Sequence, residues 1–306
     1  MPGKYEEGMP ITSVIDVKGS ILVGGGGGNK LYGFPNKLFL LDTEMNVLDN
    51  LLVKKAVFST KCYENFVIVE YEDCTFEIFE IDNGKITGPH SFPEGARSPV
   101  LFDGMSLYVK DNGIWSISLL GLIEGNTNKE AQFSRQPERG DELVALLVKG
   151  ENLLVLVKRK EGFLLLDREF TAALSGPISD YTNVREFGYI VQMKKEMSYV
   201  CMEGAVKTHA IEPKCTTVNS LGDGAFLLGD GDGCLIKYKN GRKAWKTRVF
   251  KNSPVSSIGS IGSSLYCSSI NGRLVKVDSR EGMDLKRVAF GMFIGLGVLC
   301  AAYFAS

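Results

Sequence analysis

Residues 98–120 read SPVLFDGMSLYVKDNGIWSISLL. Strand-length runs of mainly apolar residues are separated by turn-forming ones, and Asn112-Gly113 is a hairpin signal. The design recurs on both sides. Upstream, SVIDVKGSILVGGG (13–26) leads to NKLFLLD, and AVFSTKCYENFVIVEYEDCTFEIFEID (56–82) holds three such runs. Downstream lies DELVALLVKGENLLVLVKRKEGFLLLD (141–167), with turns expected at Lys149-Gly150 and Glu161-Gly162. Then come NVREFGYIVQMKKEMSYVCMEG (183–204), CTTVNSLGDGAFLLGDGDGCLIKYKNG (215–241) and SPVSSIGSIGSSLYCSSINGRLVKVDS (253–279). Helical periodicity is nearly absent.

The copies start near Thr12, Ala56, Ser98, Glu142, Asn183, Thr216 and Pro254, at spacings of 44, 42, 44, 41, 33 and 38 residues. A period near forty with several short strands per copy is the mark of a β-propeller blade. The expected fold is therefore all-β, a seven-bladed WD-repeat-like β-propeller over residues 1–287. The Trp-Asp ending of the WD repeat is missing, because neither Trp115 nor Trp245 is followed by Asp. Closure of the ring predicts that residues near Ile11 complete the blade holding Leu274 to Val277. Two stacked sandwiches are the alternative, and the regular spacing argues against them.

The composition agrees. The 306 residues are 44% hydrophobic and 23% charged, which excludes a disordered or collagen-like chain. A net charge of −1 implies no overall attraction to nucleic acid or membrane, so either partner needs a local patch. The 35 glycines against 10 prolines suit many tight turns. Seven cysteines without a CxxC pair argue against metal clusters and dithiol chemistry, and read as small buried hydrophobes in a reducing compartment. His90, in a Gly/Pro loop, and His209, in a strand-like run, are thin material for His-based catalysis or zinc.

The N-terminus lacks the apolar core of a secretory signal. Residues 288–305, VAFGMFIGLGVLCAAYFA, carry no charge, amide or proline. As a helix they would span about 27 Å, matching the endoplasmic reticulum bilayer. Lys286 and Arg287 precede them, which places the preceding domain in the cytosol. A single-pass C-terminal transmembrane helix is expected, with a buried terminal helix as the alternative.

One segment interrupts the repeat: VGGGGGNKLYGFPNK, residues 23–37. It is not a P-loop, which needs GxxxxGK[ST] before a helix, and Pro35 blocks such a helix. No Rossmann helix follows the glycines either. Five successive glycines leave two readings. One is a loop that turns several carbonyls to a common point, as in potassium-selective sites. The other is a long, mobile hairpin connection.

GGGGGNKLYGFPNKLFLLD resembles the glycine-rich motif, GGGG followed by GIPNK, in the first blade of the Sec-twelve family. Members are endoplasmic reticulum membrane proteins that catalyse guanine-nucleotide exchange on the Sar-type GTPase of COPII coats. The resemblance covers roughly 15 residues, together with the layout of a cytosolic propeller and one membrane helix. It implies a guanine-nucleotide exchange factor with a potassium ion in a protruding loop. By position, Gly25, Gly26, Gly27, Gly28, Asn29 and Asn36 would shape the ion site. Phe34 and Pro35, with Asn36, would form the tip that presses on the GTPase. Two departures stand out. Phe34 replaces the usual Ile, and no lumenal domain is expected after the span. The implied partners are the Sar-type small GTPase and the endoplasmic reticulum membrane. No covalent chemistry is implied, and no nucleic acid is expected.

Two further segments have plain alternatives. Gly229-Asp230-Gly231-Asp232-Gly233 lacks the later acidic ligands of an EF-hand and reads as a hairpin turn. KYKNGRKAWKTRVFK (237–251) holds seven basic residues interleaved with Tyr238, Trp245 and Phe250. It suits nucleic acid, anionic lipid or simply a solvated strand.

Overall fold

The computed structural model describes the chain from residue 4 to 278, apart from 7–8, 28–32, 103–104, 119–120, 122, 124–128, 131–139, 141 and short stretches between 150 and 241. After β1 (Lys4–Glu6), the described strands fall into sequential groups of four. The first sheet is β2 (Ile11–Val17), β3 (Ser20–Gly25), β4 (Lys37–Leu41) and β5 (Val47–Leu52). The second is β6 (Val57–Tyr63), β7 (Phe66–Tyr71), β8 (Phe76–Asp82) and β9 (Lys85–Ser91). The third is β10 (Arg97–Phe102), β11 (Met105–Lys110), β12 (Gly113–Ser118) and β13 (Lys129–Glu130). The fourth is β14 (Glu142–Lys149), β15 (Asn152–Arg159), β16 (Gly162–Leu166) and β17 (Thr171–Leu174). The fifth is β18 (Ile178–Val184), β19 (Gly188–Met193), β20 (Met197–Met202) and β21 (Ala205–Ala210). The sixth is β22 (Cys215–Gly222), β23 (Ala225–Asp230), β24 (Cys234–Lys239) and β25 (Arg242–Arg248). The seventh is β26 (Val255–Ile261), β27 (Ser264–Ser269) and β28 (Arg273–Asp278), with β1 as its fourth strand.

The protein is all-β and every pairing in these sheets is antiparallel. The first strand of each sheet lies against the first strand of the next, and β26 returns to β2.

The cores lie between sheets. Val17, Leu22, Leu38 and Leu40 of the first sheet pack on Val57, Val67, Val69 and Phe79 of the second. On the opposite face, Ile21, Val23, Phe39 and Leu41 meet Tyr266 and Leu274 of the seventh. Alternate residues of β3 and β4 thus serve two different cores. That is why SILVGG and KLFLL read as continuous apolar runs rather than strict alternation. The outer strand β5, VLDNLL, has only partly buried and exposed positions. The same arrangement recurs between sheets two and three, three and four, and six and seven.

Several expectations need correcting. The strand that completes the last sheet is Lys4–Glu6, in register with Arg273–Val275, while Ile11 opens its own sheet. The fifth copy begins at Ile178 rather than near Asn183. The hairpin after β11 turns on Asp111-Asn112, both left-handed with φ of 49° and 60°, while Gly113 already pairs with Lys110. The Asn112 side chain explains the placement, since its Oδ1 accepts the Leu143 N–H of the next sheet at 2.8 Å. His90 lies in β9, paired with Ile78, rather than in a loop. Cys234 and Cys267 are buried as expected, but Cys62 and Cys74 are exposed. Among the described residues no helix is long and apolar enough to cross a membrane, and residues 288–305 lie outside them.

Candidate functional site

The glycine segment leaves the first sheet at the end of β3 and returns at Lys37 of β4. Its base is held by close backbone approach. A Cβ on Gly24 would stand 2.7 Å from Val57 Cγ1, and one on Gly25 only 2.0 Å from the Pro10 carbonyl oxygen. Gly25 remains in the ladder, opposite Ile11 on one side and Lys37 on the other. The Gly26 N–H donates to that Pro10 oxygen at 3.0 Å. Gly26 adopts φ +149°, and a Cβ there would lie 2.2 Å from Asn36 Oδ1. The two strands of the loop therefore meet at Gly26 and Asn36.

Asn36 is tied in turn to the end of the outer strand. Its carbonyl accepts the Val53 N–H at 3.0 Å, and its Nδ2 donates to the Lys54 carbonyl at 3.5 Å. Glycine at 24, 25 and 26 thus has a packing reason, which a motif reading does not reveal. Gly27 is half-buried, and Gly28 and Asn29 lie outside the described residues.

Beyond this base, Phe34 is 46% exposed and Pro35 is exposed beside it. Pro35 fixes its own φ and restricts Phe34 to extended conformations, so the tip is preorganised. Nearby charge is modest. Lys37 Nζ lies 5.2 Å from the Phe39 ring centroid, and Lys54 is exposed. Lys55 bonds Asp73 at 2.6 Å and Thr75 at 2.9 Å, which holds the Asp73 carboxyl down at about 2. Among the described residues no cluster of three His, Cys, Asp or Glu side chains forms a metal site.

The seam beside the loop has a device that the sequence did not announce. Thr12 Oγ1 donates to the carbonyls of both Gly24 and Val57, joining the first sheet to the second. Thr216 does the same for Gly229, at 3.0 Å, and Val255, at 2.5 Å.

The other candidate segments resolve into structural roles. Gly231-Asp232-Gly233 is the turn between β23 and β24. Asp230 is 3% exposed and organises it, with Oδ1 accepting the N–H groups of Asp232 at 3.0 Å and Cys234 at 2.7 Å. Its Oδ2 pairs with Lys246 Nζ at 3.1 Å. In the basic segment, Tyr238 is buried and stacked on Phe226 at 5.0 Å, and Phe250 is buried in the core. Neither ring is presented to a base. His209 pairs with Ser198 across β20 and β21.

No family model and no curated protein matches the chain. Among solved structures it is similar to the computationally designed Ika8 protein, with a TM-score of 0.59 and 12% identity over 89% of this chain and 97% of that one. It is also similar to Raptor from Chaetomium thermophilum, with a TM-score of 0.67 and 11% identity over 90% of this chain and 29% of Raptor. The chain thus matches less than a third of Raptor. At such identities the likeness is one of fold.

Proposed function

We propose that the seven sheets are the blades of a seven-bladed β-propeller, anchored by residues 288–305 in the endoplasmic reticulum membrane with the propeller in the cytosol. Its function is guanine-nucleotide exchange on the Sar-type small GTPase that starts COPII vesicle formation. Four-stranded sheets in sequence, first strands in mutual contact, and β1 paired with β28 all support the ring. The observation that carries the activity is an exposed Phe34-Pro35 tip on a loop whose base is fixed by Gly26 and Asn36.

An exchange factor needs no covalent step. It must bind the nucleotide-free GTPase more tightly than the loaded one. GDP is held by the P-loop and magnesium of the GTPase. An apolar wedge fixed to a rigid sheet can occupy space that becomes available only when that site opens. Phe34 supplies the apolar area, Pro35 limits its conformations, and Asn36 ties the returning strand to Val53 and Lys54.

Gly26 and Gly27 stand outside the ladder, so no strand pairing engages their carbonyls. A potassium ion, if the loop holds one, would be bound by Gly25, Gly26, Gly27 and Asn36, with Gly28 and Asn29, which lie outside the described residues, as the other residues of the implied set.

The test is differential binding. Full-length protein in detergent should retain the nucleotide-free GTPase on a column at least about tenfold more tightly than the GDP-loaded form. Equal retention of both forms would make the chain a membrane-anchored scaffold without exchange activity.

A further inference from the structure

Residues 237–251, basic and without a carboxylate, take no part in the exchange mechanism. They cover the second half of β24 and all of β25, the outer strand of the sixth sheet. Their cations sort along these strands. Arg248 pairs with Cys234 at one end, and Lys246 pairs with Ile236 in the middle, where it bonds Asp230. Lys239 pairs with Arg242, and Tyr238 with Lys243. Lys239, Arg242 and Lys243 therefore gather at the hairpin that joins the two strands, and all three are exposed.

The strand registers place this hairpin at the end of the sheets from which the chain leaves. Lys239 also pairs with Ala225, which lies opposite Gly222 at the end of β22. β22 and β26 run alongside in the same direction, since Thr216 bonds the Val255 carbonyl and Asn219 that of Ile258. At the end of β26, Ile261 pairs with Ser264, and Ser264 pairs with Asp278, the last residue of β28. Lys239 and Arg242 thus share an end with Asp278. The glycine loop is at the other end. Lys276, two residues before Asp278, reaches the Thr43 carbonyl at 2.8 Å and Glu44 at 3.0 Å in the turn that follows β4, whereas the loop joins β4 at Lys37.

Only residues 279–287 separate Asp278 from the apolar run 288–305, and Lys286 and Arg287 close them. Fully extended, they reach at most about 32 Å. A domain tethered so closely presents this end to the bilayer. The turn of the seventh sheet at this end, Gly262-Ser263, is uncharged, and the first sheet carries mixed charge there in exposed Asp16, Lys18 and Glu44. The cationic area is local to the sixth sheet.

We infer that the β24–β25 hairpin is the contact of this domain with anionic lipid headgroups. Lys239, Arg242 and Lys243 meet the negative surface layer, and the glycine loop lies at the end turned away from the bilayer. This inference rests on the membrane anchor proposed above. Lys and Arg held within a Debye length of an anionic leaflet are attracted to it. Nucleic acid fits less well, because Tyr238 and Phe250 are buried and only half-buried Trp245 could stack on a base.

The experiment reconstitutes the full-length protein in vesicles of phosphatidylcholine, alone or with about 20% phosphatidylserine. A membrane-impermeant acylating reagent is added, and labelling of Lys239 and Lys243 is read by mass spectrometry. Each is normalised to Lys54, which is exposed near the glycine loop at the opposite end. The expected result is labelling of Lys239 and Lys243 slowed about threefold by phosphatidylserine, with the difference erased at about 0.5 M salt. Arg242→Glu with Lys243→Glu should abolish the slowing at Lys239. If the protein floats with neither vesicle, the anchor reading falls and takes this inference with it. If it floats with both and the normalised labelling is equal, the headgroup contact alone is overturned. Slowing at Lys239 that survives the double substitution overturns it too. So does slowing by single-stranded RNA on neutral vesicles, which would assign the hairpin to nucleic acid.

Discussion

Gly25→Ala separates the two jobs of the glycine run, because the cost can be worked from the structure. The new Cβ would lie 2.0 Å from the Pro10 oxygen, 3.0 Å from its carbonyl carbon and 3.1 Å from Ile11 Cα. All three are backbone atoms, so no side chain can swing away. Reaching ordinary contact requires the Pro10 peptide to move by more than about 1 Å. That displacement stretches the Gly26 N–H bond to Pro10, now 3.0 Å, and disturbs the Gly25–Ile11 pairing. Overpacking of this kind costs about 1–3 kcal/mol, and a lost hydrogen bond adds about 1. For a chain of this size, a loss of about 2–4 kcal/mol lowers the thermal midpoint by about 4–15 °C. Calorimetry of the full-length variant beside wild type measures it. A midpoint within about 1 °C of wild type would refute the claim that Gly25 is required by packing.

Four further outcomes follow from other parts of the molecule. Thr216→Val removes the hydroxyl that satisfies the Gly229 and Val255 carbonyls, and should cost about 1–3 kcal/mol in denaturant unfolding. Asp230→Ala removes the acceptor of two N–H groups and one partner of Lys246, and should cost about 2–3 kcal/mol; a loss below about 0.5 would show that the β23–β24 turn holds without it. Asp73 is held at about 2 by its hydrogen bond from Lys55, below the ~3.9 of an unfolded Asp. The Lys55–Asp73 pair therefore stabilises above about pH 4 and loses its effect as pH falls to about 2. Being solvent-screened it is worth under about 1 kcal/mol, so the difference between wild type and Lys55→Met should be small at pH 6 and fade as pH falls through about 2. The Cys267 thiol, fully buried and pushed up to about 12, should resist iodoacetamide at pH 8 while exposed Cys74 is alkylated.

The sheet repeat was legible because turn dipeptides punctuate it and each copy buries its middle strands. The starting points at Glu142, Thr216 and Pro254 fell within a residue of the observed strands. The closing strand was misplaced because Lys4–Glu6 is short and outermost, with no apolar run to mark it. The Asp111-Asn112 turn was placed one residue late. The turn dipeptide signal could not show that Asn112 is recruited by the next sheet through Leu143. At the site, the exposure of Phe34 was readable from its Gly- and Pro-rich surroundings. The packing role of Gly25 and Gly26 was not, because Pro10 and Asn36 reach them only through the fold.

The central claim is that this chain releases GDP from a Sar-type GTPase through the Phe34 tip. The direct measurement is the rate of release of a fluorescent GDP analogue in the presence of full-length protein, wild type or Phe34→Ala. Wild type should accelerate release. Phe34→Ala should lose about thirtyfold of that rate, corresponding to an anchor worth about 2 kcal/mol, while keeping its thermal midpoint. A rate with wild type no faster than the GTPase alone would contradict the account.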